Sequence, residues 1–449
     1  MKWLKRILAA LVLLLALALA LPFFISLNDY IPQIEKEASL RLKEPVSIKN
    51  IRFGAFPLPH ITIEDIRIGT ADDIRLGKVR LTPDLFSLTQ SPIVIKMIEV
   101  DSLSMTQQAI ARIPSWGKTD AVNQPPQIRV ESIHFKNAQV TFGKAIFGPF
   151  DARVSLDGNS EPKDASIATQ DGKLKVLIKS GTQGYQIDAS AKSWILPVGP
   201  ALVFDELIIK GTATNEDARL GEVSAKLYGG TAIGKMTFNW KKGMRLNGNL
   251  GINHLEVLKV ASILSPGTHV SGLLNAKPVF SASSASADHF VSALRLETPF
   301  SIKDGVLGGI DIKKAATNLS KKGATGGETH FEQLSGNLVM NHETFHFTEL
   351  KITSGGLAVD GNVDVSSKKE LSGRINAQVD VLGASTKVAL NVSGSIDSPF
   401  LFPTGGTMTG AAIGTVILGP GLGTSVGAKV GGWLEGVLGK KKVKKEPKK

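Results

Sequence analysis

Between its two ends the chain alternates apolar and polar residues with period two, in short runs bounded by Gly, Asn, Asp and Lys. Successive side chains of a strand point to opposite faces, so this pattern predicts strands that each carry one apolar face. Met236, Phe238 and Trp240 alternate with Thr237 and Asn239, Lys241-Lys242-Gly243 turns the chain, and Met244, Leu246, Leu250 and Ile252 resume the alternation as the second arm of a hairpin. The same pattern marks Ile61/Ile63, Val79/Leu81, Ile93/Ile95/Met97, Val140/Phe142, Leu174/Val176, Val363/Val365 and Ile375/Ala377/Val379.

Helical patterns are few. Pro32 suits a first helical turn, Ile34, Ala38 and the region to Leu42 keep one apolar stripe, and Pro45 ends it. Asn253 is placed to cap a short helix with Glu256 at its third residue and Leu255, Leu258, Ala261 and Leu264 on one side. Ile113 to Pro126, with three prolines and Gly117, reads as a linker between two β regions. With so little helix, each apolar sheet face must be buried against another sheet or against something that is not protein. A β-sandwich or closed barrel is the first solution. A long curved sheet with acyl chains on its apolar concave face is the second.

The ends depart from this pattern. Lys2, Lys5 and Arg6 precede an uncharged run from Ile7 to Leu27, which as a helix at about 1.5 Å per residue spans roughly the 30 Å core of a bilayer. Positive charge stays preferentially on the cytoplasmic side, so everything after Asn28 is expected outside. Ala18-Leu19-Ala20 also offers small residues at signal-peptidase spacing, and cleavage there would equally mean export. The apolar run continues through Pro22, Phe23, Phe24 and Ile25, which favours a retained anchor. At the other end, Gly410 and Gly414, and Gly423, Gly427 and Gly431, repeat at the four-residue spacing that lets helices approach closely in a membrane. Gly419-Pro420-Gly421 divides that segment, and a flexible cap is the other reading.

Charge and cysteine content narrow the chemistry. The formal charge is +12, but Lys440 to Lys449 holds seven lysines against one glutamate and the leading Lys2, Lys5 and Arg6 add three more, so the body is nearly neutral and no nucleic-acid partner is implied. The basic ends suit anionic headgroups or simple solvation. There is no cysteine, which excludes disulfides, thiol nucleophiles and thiolate metal sites.

One motif points to catalysis. His342-Glu343-Thr344-Phe345-His346 satisfies H-E-x-x-H, in which two histidines one helical turn apart bind zinc and the glutamate activates water. That chemistry needs a helix. The flanks Leu338 to Asn341 and Phe347 to Ile352 read as strands around a turn, where the histidines would stand roughly 13 Å apart. The remaining histidines show no ligand spacing, and Gly419 to Gly423 lacks the strand and the Lys-Ser/Thr ending of a phosphate loop. We therefore expect no enzyme activity, no metal and no cofactor.

A family resemblance runs along the chain. Glu44-Pro45-Val46-Ser47-Ile48, Phe56-Pro57, Ile63-Glu64-Asp65-Ile66-Arg67-Ile68-Gly69, Leu76-Gly77-Lys78-Val79-Arg80-Leu81 and Ile93-Val94-Ile95 with Ile98-Glu99-Val100 resemble the opening of AsmA-family envelope proteins. Asp171-Gly172-Lys173-Leu174, Trp194-Ile195-Leu196-Pro197, Leu227-Tyr228-Gly229-Gly230, Asp304-Gly305-Val306-Leu307, Phe331 to Gly336 and Ser354 to Gly361 follow in the order that family shows. The resemblance implies a bacterial inner-membrane protein with one N-terminal anchor and a periplasmic β-rich body, linked to outer-membrane homeostasis. Larger members look like groove-shaped bridges that move phospholipid.

The expected organisation is a transmembrane anchor (1–27), an AsmA-like β region (28–112), the linker (113–126), a β-rich periplasmic body (127–404), a Gly-rich apolar segment (405–439) and a basic tail (440–449). The fold class is mainly β, an extended, curved antiparallel sheet with an apolar groove and few short helices. Expected lipid contacts are Ile61, Ile63, Val79, Leu81, Ile93 and Ile95, aliphatic residues on alternating strands. Expected partners are phospholipid, the inner membrane, and outer-membrane or envelope proteins. The competing function is a lipid-free β-sandwich scaffold that assists outer-membrane protein assembly.

Overall fold

The computed structural model describes residues 26–404 apart from 72, 114–127, 143–144, 183, 198–200, 265–268, 286–289, 291, 318–323 and 382–383. The described chain is mainly β, with short helices between runs of strands. It falls into two compact units: residues up to 227 with 233–246 and 283–291, and residues 228–232, 247–282 and 292 onward.

The first unit contains β1 (Val46–Gly54), β2 (His60–Ile68), β3 (Ile74–Pro83), β4 (Ile93–Thr106), β5 (Ile128–Val130), β6 (Ser132–Phe142), β7 (Ala145–Leu156), β8 (Pro162–Thr169), β9 (Leu174–Gly181), β10 (Gly184–Ile195), β11 (Val203–Ala213) and β12 (Asp217–Leu227). These pair in chain order and antiparallel, except that β4 runs parallel to β5 and β6. The segment 113–126 therefore joins strands of one sheet, and the division into units falls elsewhere, near Leu227.

An edge strand exposes unpaired backbone groups that invite aggregation. Here β1 is covered by helix α1 (Ile31–Leu42) and the turn before it. Asn28 Oδ1 accepts from Ile51 N (2.8 Å), Glu35 Oε1 from Ile48 N (2.6 Å) and Ser39 Oγ from Val46 N (2.9 Å). Pro32 stands in the first turn and Lys43 ends the helix in the left-handed conformation. Helix α2 (Gln107–Arg112) follows β4, capped by Thr106 Oγ1, with Ala109 fully buried. Its Arg112 bonds both Glu44 and Asp73 at 2.5 Å, tying it to the loops before β1 and β3.

A line of backbone irregularity crosses this sheet. Lys49 faces Asp65 on β2, which faces Gly77 on β3, which faces Ser102 on β4, which lies alongside Asn137 on β6. Asp65, Ser102 and Asn137 all have φ between +53° and +60°. Each such residue resets the alternation, so Ile61 and Ile63 share a face with Ile66 and Ile68, and Ile98 and Val100 with Leu103 and Met105. Asn137 is held on both sides: its N–H donates to Asp151 Oδ1 (3.1 Å) and its Nδ2 to Asp101 Oδ1 (3.0 Å). That second bond is the main reason the Asp101 carboxyl sits below the usual carboxylate range. Asn137→Val, a β-branched residue forced into left-handed space, is expected to cost about 2 kcal/mol, read as a lower urea midpoint, and to raise the Asp101 pKa in an NMR titration. Asn137→Gly should lose less stability, since glycine adopts that conformation freely.

After β13 (Gly230–Asn239) and β14 (Met244–Glu256), the second unit contains helix α3 (Val257–Leu264), β15 (Leu273–Ala276), β16 (Val279–Ser284), β17 (Arg295–Gly308), helix α4 (Ile312–Thr317), β18 (Glu328–Asn341), β19 (Thr344–Ser354), β20 (Leu357–Val365), β21 (Leu371–Val381), β22 (Ala384–Ser395) and β23 (Ser398–Pro403). β15 and β16 both pair with β17, and β17 to β23 form an antiparallel meander. Helix α4 lays Ile312, Ala315 and Ala316 on that meander and seals a core with Leu334, Ile352, Ala377, Val379, Leu390 and Leu401. Asp311 caps this helix through Lys314 N, and buried Thr329 both accepts from Ile312 N and donates to Ile310 O.

Some expectations are corrected. Asn253 does not cap a helix: the strand continues through Glu256, with left-handed His254 and a ladder shift between Ile252 and Leu255 absorbed within it, and α3 begins at Val257. Of the linker expected over 113–126, Ile113 is the last turn of α2 and the remainder lies outside the described residues. The anchor expected over 1–27 lies, up to residue 25, outside the described residues, and Leu27 already opens a short 3-10 turn. Among the described residues no helix is long and apolar enough to cross a membrane. The Gly-rich segment and basic tail also lie outside them.

Candidate functional site: an apolar sheet face

In the first unit the ladder registers place apolar residues directly opposite one another on eleven strands in succession, from β1 to β12 without β5. One row is Ile51, Ile63, Val79, Val100, Phe135, Ala152, Ile167, Val176, Ala189, Ile209 and Val223. The row two residues away is Phe53, Ile61, Leu81, Ile98, Ile133, Val154, Ala165, Ile178 and Ile187. With strands about 4.8 Å apart, ten steps give an apolar path of roughly 48 Å measured along the sheet.

The opposite face carries the reverse chemistry. Between those rows lie Arg52, Thr62, Arg80, Glu99, His134, Arg153, Ser166, Leu177, Asp188, Lys210 and Glu222, one apolar side chain among eleven. Glu99 accepts from Arg80 (3.2 Å) and pairs with Lys136 (2.9 Å). His134 is held below its ordinary pKa, mainly by burial and then by Arg153 beside it. The sheet is thus two-sided, with paired charges and polar groups on one face and the apolar rows on the other.

Burial of the rows is uneven. Near β2 to β6 the rows join a core in which Leu42 of α1 and Ala109 of α2 pack against Val79, Val100 and Leu103. From β8 to β10, the closest backbone neighbours of each strand among the described residues are its ladder partners. There Ile167, Val176, Ile178 and Ile187 are only partly buried although they sit mid-strand. Contiguous apolar surface of this kind is a place for a ligand or partner.

The structure brings Ile61, Ile63, Val79 and Leu81 together, as the pairs Ile61–Leu81 and Ile63–Val79. It sets Ile93 and Ile95 apart: they stand beside Ile128 and Val130, beyond the register shift at Thr82/Pro83, and the buried residue between them is Val94. The residues missed are Val154, Ala165, Ile167, Ile178, Ile187 and Ile209. Tyr185-x-Ile187-x-Ala189-x-Ala191 does alternate, and that signal could have found Ile187.

The H-E-x-x-H residues occupy a hairpin. His342 and Glu343 form the turn between β18 and β19 with φ of +48° and +66°. His342 Nδ1 contacts Asn341 Oδ1 (2.6 Å) and His346 Nδ1 contacts Asp364 Oδ1 (2.7 Å), so the two rings have separate partners. Among the described residues no cluster of three potential ligands could hold a metal ion.

No curated protein and no solved structure matches the chain. The AsmA family matches over residues 1–143, which include β1 to β6 with the line of reset alternation, so it is the N-terminal region of this chain that is similar to the AsmA family.

Proposed function

We propose that this chain is an envelope protein, anchored in the inner membrane by Ile7 to Leu27, whose first unit holds phospholipid acyl chains against its apolar sheet face without any catalytic step. The observation that carries the reading is the pair of continuous apolar rows, in which Ile167, Val176, Ile178 and Ile187 stay partly exposed in mid-strand. Acyl chains suit such a face because the hydrophobic effect is non-directional, each buried methylene contributing about 0.8 kcal/mol whatever the headgroup. A face without convergent polar groups selects chains and not headgroups, so varied phospholipids would be held alike. A path on which every step is chemically equivalent suits transfer along the rows, and such transfer is the route by which the chain would support outer-membrane biogenesis.

A second reading has its own support. The second unit's core is sealed by α4, with Leu390 and Ala377 fully buried, which suits a lipid-free scaffold that assists outer-membrane protein assembly. A photo-crosslinking residue at Ile178 of the full-length chain, activated in intact cells, separates the two. The expected product is a phospholipid adduct by mass spectrometry, with few or none from Leu177 on the charged face. Protein adducts alone at Ile178, or equal lipid yields at both positions, would favour the scaffold.

A further inference from the structure

Two loops at one end of the first unit's sheet are built inside out. The β1–β2 loop presents Phe56 and Leu58, and the short turn Leu85–Thr89 between β3 and β4 presents Leu85, Phe86 and Leu88. All five are half or more exposed, Phe56 by 90% and Phe86 by 86%, while the polar Ser87 in their midst is only 5% exposed. Ser87 Oγ donates to Asp84 O and accepts from Val94 N, both at 2.8 Å, and the Asp84 side chain accepts from Phe86 N at 3.1 Å. The hydrogen bonds hold the turn in place and aim its apolar side chains outward. The pairs Ile61–Leu81 and Pro83–Ile95 put both loops at the same end of the sheet.

The N-terminal segment reaches the unit at this same end. Asn28 Oδ1 accepts from Ile51 N, close to the β1–β2 loop, and α1 then runs away from it, with Glu35 at Ile48 and Ser39 at Val46. The described chain thus begins at the end of the sheet that carries Phe56 and Phe86, and in sequence it follows directly on the uncharged run Ile7 to Leu27. Five exposed large apolar side chains gather at the end of the sheet where the described chain begins. Single exposed apolar residues are ordinary, but a cluster of this kind marks an interaction surface.

We infer that this end of the first unit docks on the surface of the bilayer that holds Ile7 to Leu27, with Phe56, Leu58, Leu85, Phe86 and Leu88 inserted at the headgroup level. Aromatic and aliphatic side chains at that depth gain apolar burial without leaving backbone groups unpaired. The inference rests on the anchored reading of residues 7–27 and is independent of whether acyl chains occupy the sheet face. Docked so, the row through Phe53, Ile61 and Leu81 begins next to the membrane surface.

Because the chain has no cysteine, a single one can be labelled uniquely. Full-length Phe56→Cys, Phe86→Cys and Thr70→Cys, each carrying an environment-sensitive fluorophore, are reconstituted into phosphatidylethanolamine and phosphatidylglycerol vesicles containing acyl-chain nitroxide lipids. Thr70 serves as control because its turn joins Ile68 to Ile74 at the opposite end of the sheet. Quenching at positions 56 and 86 is expected to exceed that at 70 several-fold. Equal quenching at all three, or none above that of position 70 at either loop, overturns the docking, as would a chain that fails to float with the vesicles. Lipid capture at Ile178 is a separate readout, so the docking and the acyl-chain reading fail independently.

Discussion

Ile178→Lys combined with Ile187→Asp is expected to lower lipid capture by a crosslinker at Ile167 by more than tenfold, with the protein still folded. Ile178 and Ile187 face each other across β9 and β10, in the stretch where the apolar rows stay partly exposed. Opposite charges directly across a ladder support strand pairing. Both residues are already partly exposed, so the charged ends of the new side chains can reach water in the free protein. Beneath an acyl chain the balance reverses, since two charged groups would lose water to hydrocarbon at a cost of several kcal/mol, where about 1.4 kcal/mol is already tenfold in binding. Leu177→Asp, on the charged face, is the control and should leave capture unchanged. Unaltered capture in the double variant would mean that the rows do not touch lipid.

Much of the fold was legible because strand alternation is a local signal. Every apolar pair named from the sequence, from Ile61/Ile63 to Ile375/Ala377/Val379, lies on a strand, and the H-E-x-x-H residues fell on a hairpin as their flanks indicated. The candidate face was legible only in fragments. Strict period two places Ile63 and Ile66 on opposite faces, whereas the left-handed Asp65 between them returns both to one core. Nothing in a single strand announces that reset, because its cause is transverse: Asp65, Gly77, Ser102 and Asn137 match only once the registers are known. Ile93 and Ile95 fail to join the rows for a similar reason, the register shift at Thr82/Pro83. Helix α2 was missed because its six residues are too few to carry a period, and its stability comes from buried Ala109 and from Arg112 reaching Glu44 and Asp73.

Leu390→Ala is expected to destabilise the second unit by about 3 kcal/mol, at the centre of the range for leucine truncation in sealed cores. Leu390 is fully buried, set between Ile375 on β21 and Pro403 on β23, in the core that α4 closes with Ile312, Ala315 and Ala316. Alanine there leaves a cavity that the packed layers cannot close, so both transfer and cavity terms count. Ile187→Ala removes a similar volume from the first unit, but its site is partly exposed, so water can fill the space and the loss should stay near about 1 kcal/mol. Urea unfolding of the full-length chain, followed at probes specific to each unit, measures both. A small effect at Leu390 would mean that α4 does not seal the core, and the second unit would then offer an apolar face of its own. A large effect at Ile187 would mean that protein covers the first unit's rows, which removes the physical basis for lipid there. The same truncation therefore reads out, at two positions, which apolar face is closed by the chain itself and which awaits something else.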